Sequence, residues 1–244
     1  WVLVGALCGP EDAIYPALAL LPAADVTVED TWHTVGMRAT GSADVVVTEA
    51  FVPEHRLLRV TDIYAGTTPG AALHDAAAYR WPMVPALALL AAMPALGSAE
   101  RVTDLFAERL GHRVIAYEGV AQRDKPIAQA HLGRARVRLR ALHGLLADTV
   151  GQIQQLVAAG DPVPRPVRAD ARLAAAHIVH ESRAIIGDLL AASGASVQFL
   201  SHPMQRFQRD VDVLAGHVVF DYDTSRELAG ALELGLKVSP LAMI

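Results

Sequence analysis

The sequence predicts an α+β protein: a β domain over residues 1–66, a connector at 67–82, and an all-α helical bundle over 83–244. Three observations carry that reading. Alternating or β-branched runs are confined to the first part, where Val45-Val46-Val47 is the densest. Beyond the connector, Ala- and Leu-rich stretches repeat at helical spacing and are bounded by prolines and glycines. Between the two lies Gly66-Thr67-Thr68-Pro69-Gly70, a break in either pattern.

The β elements follow in order. Trp1–Leu7 is apolar and β-prone, and Gly9-Pro10-Glu11-Asp12 turns the chain. Ile14–Leu21 is a second strand, weakened by Pro16. Asp25–Glu29 and Ala43–Thr48 are further strands, and Ala50–Val52 leads into Pro53, the exit from the sheet. Trp1 reads as a strand already in progress, with no initiator Met or cap before it, so further sequence is expected upstream.

The helical patterns come next. Pro85 to about Tyr117 is one long helix with Pro94 expected to kink it. Pro126–Ala159 is opened by a first-turn proline and closed by Gly160-Asp161-Pro162. Its arginines, Arg134, Arg136, Arg138 and Arg140, spread around the helix and are expected to form a solvated face with salt bridges between subunits. Pro166–Ser193 is a third helix, broken by Ser193-Gly194-Ala195-Ser196. A short helix is expected over Met204–Val219 and a last one from about Thr224 to Leu236, capped by Asp223 or Thr224, with Glu227 completing a capping box.

Bulk properties exclude several classes. Apolar residues make up 52% of the 244 and charged residues 19%. No unbroken apolar window reaches about eighteen residues, so no transmembrane helix is expected. Pro82–Gly97 reads instead as a buried helix in a bundle or at an oligomer interface. A net charge of −5 offers no basic field for nucleic acid. The single cysteine, Cys8, excludes an internal disulfide and a Cys-cluster metal site, and points to a cytoplasmic location. His177 and His180 flank Glu181 without a third ligand at metal spacing, so no metal is expected.

Two polar constellations stand out. Residues 32–42 form a donor-rich loop in which backbone N–H groups around Gly36 and Gly41, the hydroxyls of Thr40 and Ser42, and Arg38 suit a phosphate; alone they suit a structural turn as well. The second is His202-Pro203-Met204-Gln205-Arg206-Phe207-Gln208-Arg209-Asp210, followed by His217. Within it a buried Arg–Asp pair is expected to pin the short helix so that His217 faces a pocket.

Taken together, "DTWHTVGMRATGSADVVVTEAFVPEHRLL" and "HPMQRFQRDVDVLAGHVVFDYD" resemble the acyl-CoA dehydrogenase superfamily, and in particular its flavin-dependent monooxygenase branch. The two motifs stand at opposite ends of a helical stretch of suitable length, so the resemblance covers nearly the whole chain, and it implies that residues 1–66 are the C-terminal portion of a β-barrel or sandwich domain. It departs from the dehydrogenases at one place: where they carry a glutamate base after an Arg-Asp pair, this chain has Gly216-His217-Val218. Tyr117-Glu118-Gly119 looks like the dehydrogenase Tyr-Glu-Gly but lies far too early.

The resemblance implies the oxygenase component of a two-component monooxygenase. It would use reduced FMN or FAD from a separate NAD(P)H:flavin reductase and O2, through a C4a-hydroperoxide, to hydroxylate an aromatic or polycyclic substrate. The absence of a Gly-x-Gly-x-x-Gly fingerprint agrees with flavin arriving already reduced. His217 is the expected catalytic residue, holding the flavin N5 region or peroxide, or acting as a base on a phenol; an imidazole's ordinary pKa of about 6.5 suits each role. The resemblance further implies Trp32 beside the flavin's phosphate-bearing tail, with Thr40, Gly41 and Ser42 near the phosphate. Ser193 and Ser196 are implied as further contacts, from a neighbouring subunit. Arg109 is expected to neutralise the phosphate, with Arg101 and Arg123 as rivals. Tyr79 and Trp81, with Tyr64 and Met83, are candidates to stack on the substrate. A homotetramer built through the bundle is expected. The alternatives are an acyl-CoA dehydrogenase with bound FAD, which needs a carboxylate base, and a flavin-free helical assembly module.

Overall fold

The computed structural model describes residues 1–74, 76–115 and 118–244. Strands β1 (Val2–Cys8) and β2 (Tyr15–Leu21) form an antiparallel hairpin, and β5 (Leu57–Arg59) pairs with the far edge of β2. The register places Leu3 opposite Leu20 and Leu7 opposite Pro16. Side chains alternate across a strand, so Leu3, Leu7 and Leu20 share one exposed apolar face, while Ala17, Ala19 and Leu21 point into the protein. β3 (Thr27–Glu29) and β4 (Asp44–Val46) make a separate two-stranded ladder. Residues 50–52 leave the sheet without joining a ladder, as expected. Glu49 turns the chain at positive φ, and Pro53 has no N–H to donate.

The connector is more ordered than the sequence suggests. It is approached through α1 (Val60–Ala65) and contains α2 (Pro69–Leu73) and a 3-10 turn at Ala77–Arg80. The bundle then consists of α3 (Met83–His112), α4 (Pro126–Ala159), α5 (Arg165–Ser193), α6 (Pro203–Ala215) and α7 (Tyr222–Glu233). α5 is the central helix, packed against each of the other four. Its buried face reads Ala171, Ala175, Ile178, Val179, Ser182, Ile185, Ile186, Leu189 and Leu190. The alanines let α3 approach closely, and each fully buried Ile or Leu contributes about 1.5–3 kcal/mol.

Among the described residues, only α3 is long and apolar enough to cross a membrane. Its Ala88, Ala92, Ala95, Ala99, Val102 and Phe106 are buried against the bundle, which identifies a core helix.

Punctuation residues set several ends. Pro126 opens α4 and Gly160, at φ 80°, closes it in a left-handed conformation that glycine adopts without strain. α3 stops at His112, earlier than expected, and a small hairpin follows, β6 (Val114–Ile115) with β7 (Val120–Ala121). Tyr117, counted in the expected helix and in the Tyr-Glu-Gly triplet, lies outside the described residues. The expected Met204–Val219 helix is two pieces, since α6 ends at Ala215 and His217 caps a separate 3-10 turn over Val218–Phe220. Asp221, rather than Asp223 or Thr224, caps α7 through Thr224 N–H at 2.7 Å.

Of the α4 arginines, Arg134, Arg136 and Arg140 are exposed as expected, and Arg138 differs. Arg138 is mostly buried and binds Glu181 and, at 2.7 Å, Asp188, both on α5; Arg136 reaches Asp104 on α3 at 3.2 Å. These bonds tie helices within one chain. A hydrogen-bonded pair of charges can stay inside where a lone one cannot.

Candidate functional site

Three clusters surround α6. The first joins its middle to the loop at 32–42. Asp210 Oδ1 accepts the Met37 N–H at 2.7 Å, and the Arg209 guanidinium donates to Val35 O at 2.8 Å. Between those bonds Gly36 lies so close that a Cβ there would fall 2.0 Å from Arg209 O. Arg209 also donates to Gln205 Oε1 at 2.9 Å, and buried Gln205 donates to the carbonyls of Leu200 and His202. The expected Arg–Asp pair therefore takes another form: Arg209 and Asp210 each grip the loop backbone and not each other, while Arg206 lies over the Phe207 ring. Loop donors are partly used inside the loop. The Trp32 indole N–H and the Thr40 hydroxyl both donate to Met37 O, at 2.8 and 2.7 Å. Gly41 and Ser42 face solvent.

The second cluster precedes α6. Arg109, near the end of α3, donates to Ser196 Oγ at 2.6 Å and to Ser193 O at 3.2 Å. Arg113, one turn on, donates to the same Ser193 carbonyl. Ser193 itself is buried and its hydroxyl donates to Leu189 O, so its carbonyl alone serves the cluster. Gln122 donates to Ala192 O. Among the described residues no carboxylate pairs with Arg109 or Arg113, and of three buried side-chain polar atoms without a partner two are in this cluster, Arg109 Nε and Gln122 Oε1, the third being Ser182 Oγ on α5. Burial, and then the Arg113 charge, lower the Arg109 pKa. His202, capping α6, also has its pKa lowered, by burial and then by Arg109. The rivals are occupied otherwise, since Arg101 binds Glu108 at 2.9 Å and Arg123 lies 3.7 Å from Asp124.

The third cluster follows α6. His217 lines a cleft of about 680 Å³ with Arg172, His180, Asp221, Tyr222 and Met243. His217 Nδ1 accepts the Val219 N–H at 3.2 Å. That bond assigns the neutral ring's proton to Nε2, which makes the free edge of the imidazole a donor. Behind it, His180 Nε2 bonds Phe220 O at 3.0 Å and the ring stacks on Tyr222, whose hydroxyl meets His177 Nδ1 at 2.6 Å. His177 and His180 thus serve these contacts, and Glu181 serves Arg138. Asp221 brings a carboxylate to the cleft, but bonds from the Thr224 side chain and backbone hold it below the usual carboxylate range.

Tyr79 and Trp81 lie elsewhere. Tyr79 stacks on His74 at 4.5 Å, and Trp81 lines a second, apolar cleft between α3 and α4 with Leu89, Met93 and Leu146. The sequence reading missed Arg113, Gln122, Arg172 and Asp221. Only Asp221 had a local signal, a cap residue three positions before Thr224.

The architecture, small sheets followed by a helical bundle in which α5 is central, is that of the acyl-CoA dehydrogenase-like class. Residues 89–222 match the family model described as "Acyl-CoA dehydrogenase, C-terminal domain", over more than half of the chain, and the chain belongs to that family. It is 33% identical over 225 residues to a pigment production hydroxylase of Rhodococcus sp., covering 92% of this chain and 57% of that protein. It is 31% identical over 221 residues to the flavin-dependent monooxygenase oxygenase subunit HsaA of Rhodococcus jostii, covering 90% and 58%. The crystal structure of XiaF from Streptomyces sp., in complex with FADH2 and glycerol, matches with a TM-score of 0.87 and 28% identity, covering 98% of this chain and 61% of that one. The chain thus spans less than two thirds of the length of these relatives.

Proposed function

We propose that the protein is the oxygenase component of a two-component flavin-dependent monooxygenase that hydroxylates an aromatic or polycyclic substrate with O2. Reduced FMN or FAD would come by diffusion from an NAD(P)H:flavin reductase. The observation that carries this reading is the His217 imidazole, fixed by Val219 with Nε2–H outward, where a dehydrogenase would carry its glutamate. The names of the relatives agree with it.

The residues fit a flavin on one physical ground. Arg109 and Arg113 converge without a carboxylate, and buried Arg109 Nε is unpartnered, so the cluster is short of an anion. Arg109 and the Ser196 hydroxyl would hold the flavin phosphate, with Ser42 and Gly41 as donors from the loop. Arg109 and Ser196 are hydrogen-bonded to each other within one chain, so whichever subunit's flavin they serve, those two serve together. Bound reduced flavin supplies the electrons that activate O2. His217 Nε2–H donates a hydrogen bond to the reacting oxygen or to a substrate hydroxyl, and the bond from Val219 favours this donor role over that of a base. Trp81, through the second cleft, and Tyr79, outside it beside His74, remain candidates for aromatic contact. A homotetramer assembled through the bundle, in a cytoplasmic protein, completes the reading; exposed Leu87, Leu90 and Met93 on α3 are the support for assembly.

The dehydrogenase alternative needs a free carboxylate base, and Asp221 is bound to Thr224. The test is His217→Asn, which keeps an acceptor for the Val219 N–H and removes Nε2–H. Hydroxylation with supplied reduced FMN or FAD is expected to fall by about 100-fold or more. An unchanged rate, or oxidation of an acyl-CoA thioester by wild type with bound FAD, would overturn the proposal.

A further inference from the structure

α5 carries three arginines on one face, Arg165, Arg168 and Arg172, and the hydrogen bonds they make go to backbone carbonyls. Arg165 donates to Ser239 O at 2.7 Å. Arg168 donates to Val163 O at 2.7 Å and to Tyr64 O. Arg172 is the most buried of the three, 2% exposed, and lines the cleft of His217. Its guanidinium donates to Val218 O at 3.0 Å, Val219 O at 3.2 Å and Met243 O at 3.1 Å. The first two carbonyls belong to the 3-10 turn that His217 caps. The third belongs to the segment after α7, whose Leu241, Ala242 and Met243 form another wall of the same cleft. Asp221 acts on Arg172 through its charge, without an ion pair between them.

A buried guanidinium cannot leave its acceptors without a large desolvation cost. Its fork also holds them in a fixed mutual geometry, which a lysine's single ammonium does not. We infer that Arg172 is the positioning residue for His217. It fixes the turn whose Val219 N–H sets the imidazole's tautomer, and it locks that turn to the 237–244 segment, so that the catalytic edge and the cleft wall open and close as one unit. Val238, Ala242 and Ile244 seat the segment on Leu173, Leu228 and Leu232 in a small apolar cluster, while Val219 and Phe220 of the turn belong to the main core, so the Arg172 fork is what bridges the two. Arg183, on the same helix but bonded to Asp212 on α6 and outside the cleft, is the control.

The proposal's effect on turnover rests on the reading of His217 above, but the coupling itself is read without activity. Hydrogen exchange of the wild type should show the amides of Val219 and Phe220 opening with those of Ala242 and Ile244 at a common rate. In Arg172→Met both sets should exchange about 10- to 100-fold faster. The His217 ring ¹⁵N shifts should move from the Nε2–H tautomer toward a mixture. Arg172→Lys should fall between, and Arg183→Met should leave both sets unchanged. If Arg172→Met does not fold, the wild-type exchange pattern and Arg172→Lys decide. Separate exchange rates for turn and segment in the wild type, or an unmoved His217 tautomer in a folded Arg172 variant, would overturn the inference. Loss of activity in His217→Asn with normal coupling would support both readings. Full activity in that variant with normal coupling would remove the functional one and leave the coupling standing.

Discussion

Arg138 and Arg109 stand on neighbouring helices of one bundle and have opposite environments. Arg138 has two carboxylates, Glu181 and Asp188, and those bonds raise its pKa against the pull of burial. Arg109 has a hydroxyl, a carbonyl and a second guanidinium for company, and its pKa is lowered. A satisfied buried charge does structural work inside the chain. A cation kept beside another cation, with an unpartnered N–H, is a place where the protein gives up stability until an anion arrives. Burial of an arginine is thus a poor guide to function, and the identity of its acceptors is a good one.

That contrast can be broken at several points. The largest effect is expected from Gly36→Ala, because the added carbon meets backbone at 2.0 Å: about 3 kcal/mol or more of stability, read by urea unfolding. The strain falls on the contact between the loop and α6. Arg138→Met should cost about 2 kcal/mol by leaving Glu181 unpaired and Asp188 with only Arg134, 3.9 Å away, with flavin affinity unchanged in the folded fraction. Arg109→Met should do the reverse, lowering reduced-flavin affinity about 100-fold while the melting temperature holds or rises. Equal stability losses in the two variants would erase the distinction.

Smaller effects sharpen it. Glu181→Gln is expected to cost about 1.5 kcal/mol near neutral pH. Glu181 has a folded pKa lowered chiefly by the Arg138 hydrogen bond. Its contribution is therefore fully present above the unfolded value of about 4.3 and is lost as pH falls through the folded value. The gap in melting temperature between wild type and Glu181→Gln should close in that acid range, and a gap independent of pH would contradict the pairing.

How much of this was legible in the sequence varies from residue to residue. The bounds of α4 could be read because Pro126 and Gly160 state them in side-chain chemistry. The Trp32 loop and the run before His217 were legible as a pair through family resemblance, and the link between them was legible only in part. Arg209 and Asp210 looked like partners, yet each grips backbone 173 or 174 positions away. Arg172 left no trace at all, because its acceptors are carbonyls and every residue has one. The β6–β7 hairpin was hidden inside an apparently helical stretch, where Val114 and Ile115 were the only signs of an ending. Sequence patterns reveal what side chains do to each other more readily than what they do to the main chain.

The central claim is that Arg109 and its neighbours are short of an anion which a flavin phosphate supplies. Anaerobic titration of wild type and Arg109→Met with reduced FMN and with reduced riboflavin, its phosphate-free counterpart, measures that directly. Wild type is expected to prefer the phosphorylated form by about 100-fold, and Arg109→Met to bind both alike. Equal affinity of wild type for the two, or a preference that survives in Arg109→Met, would contradict the account.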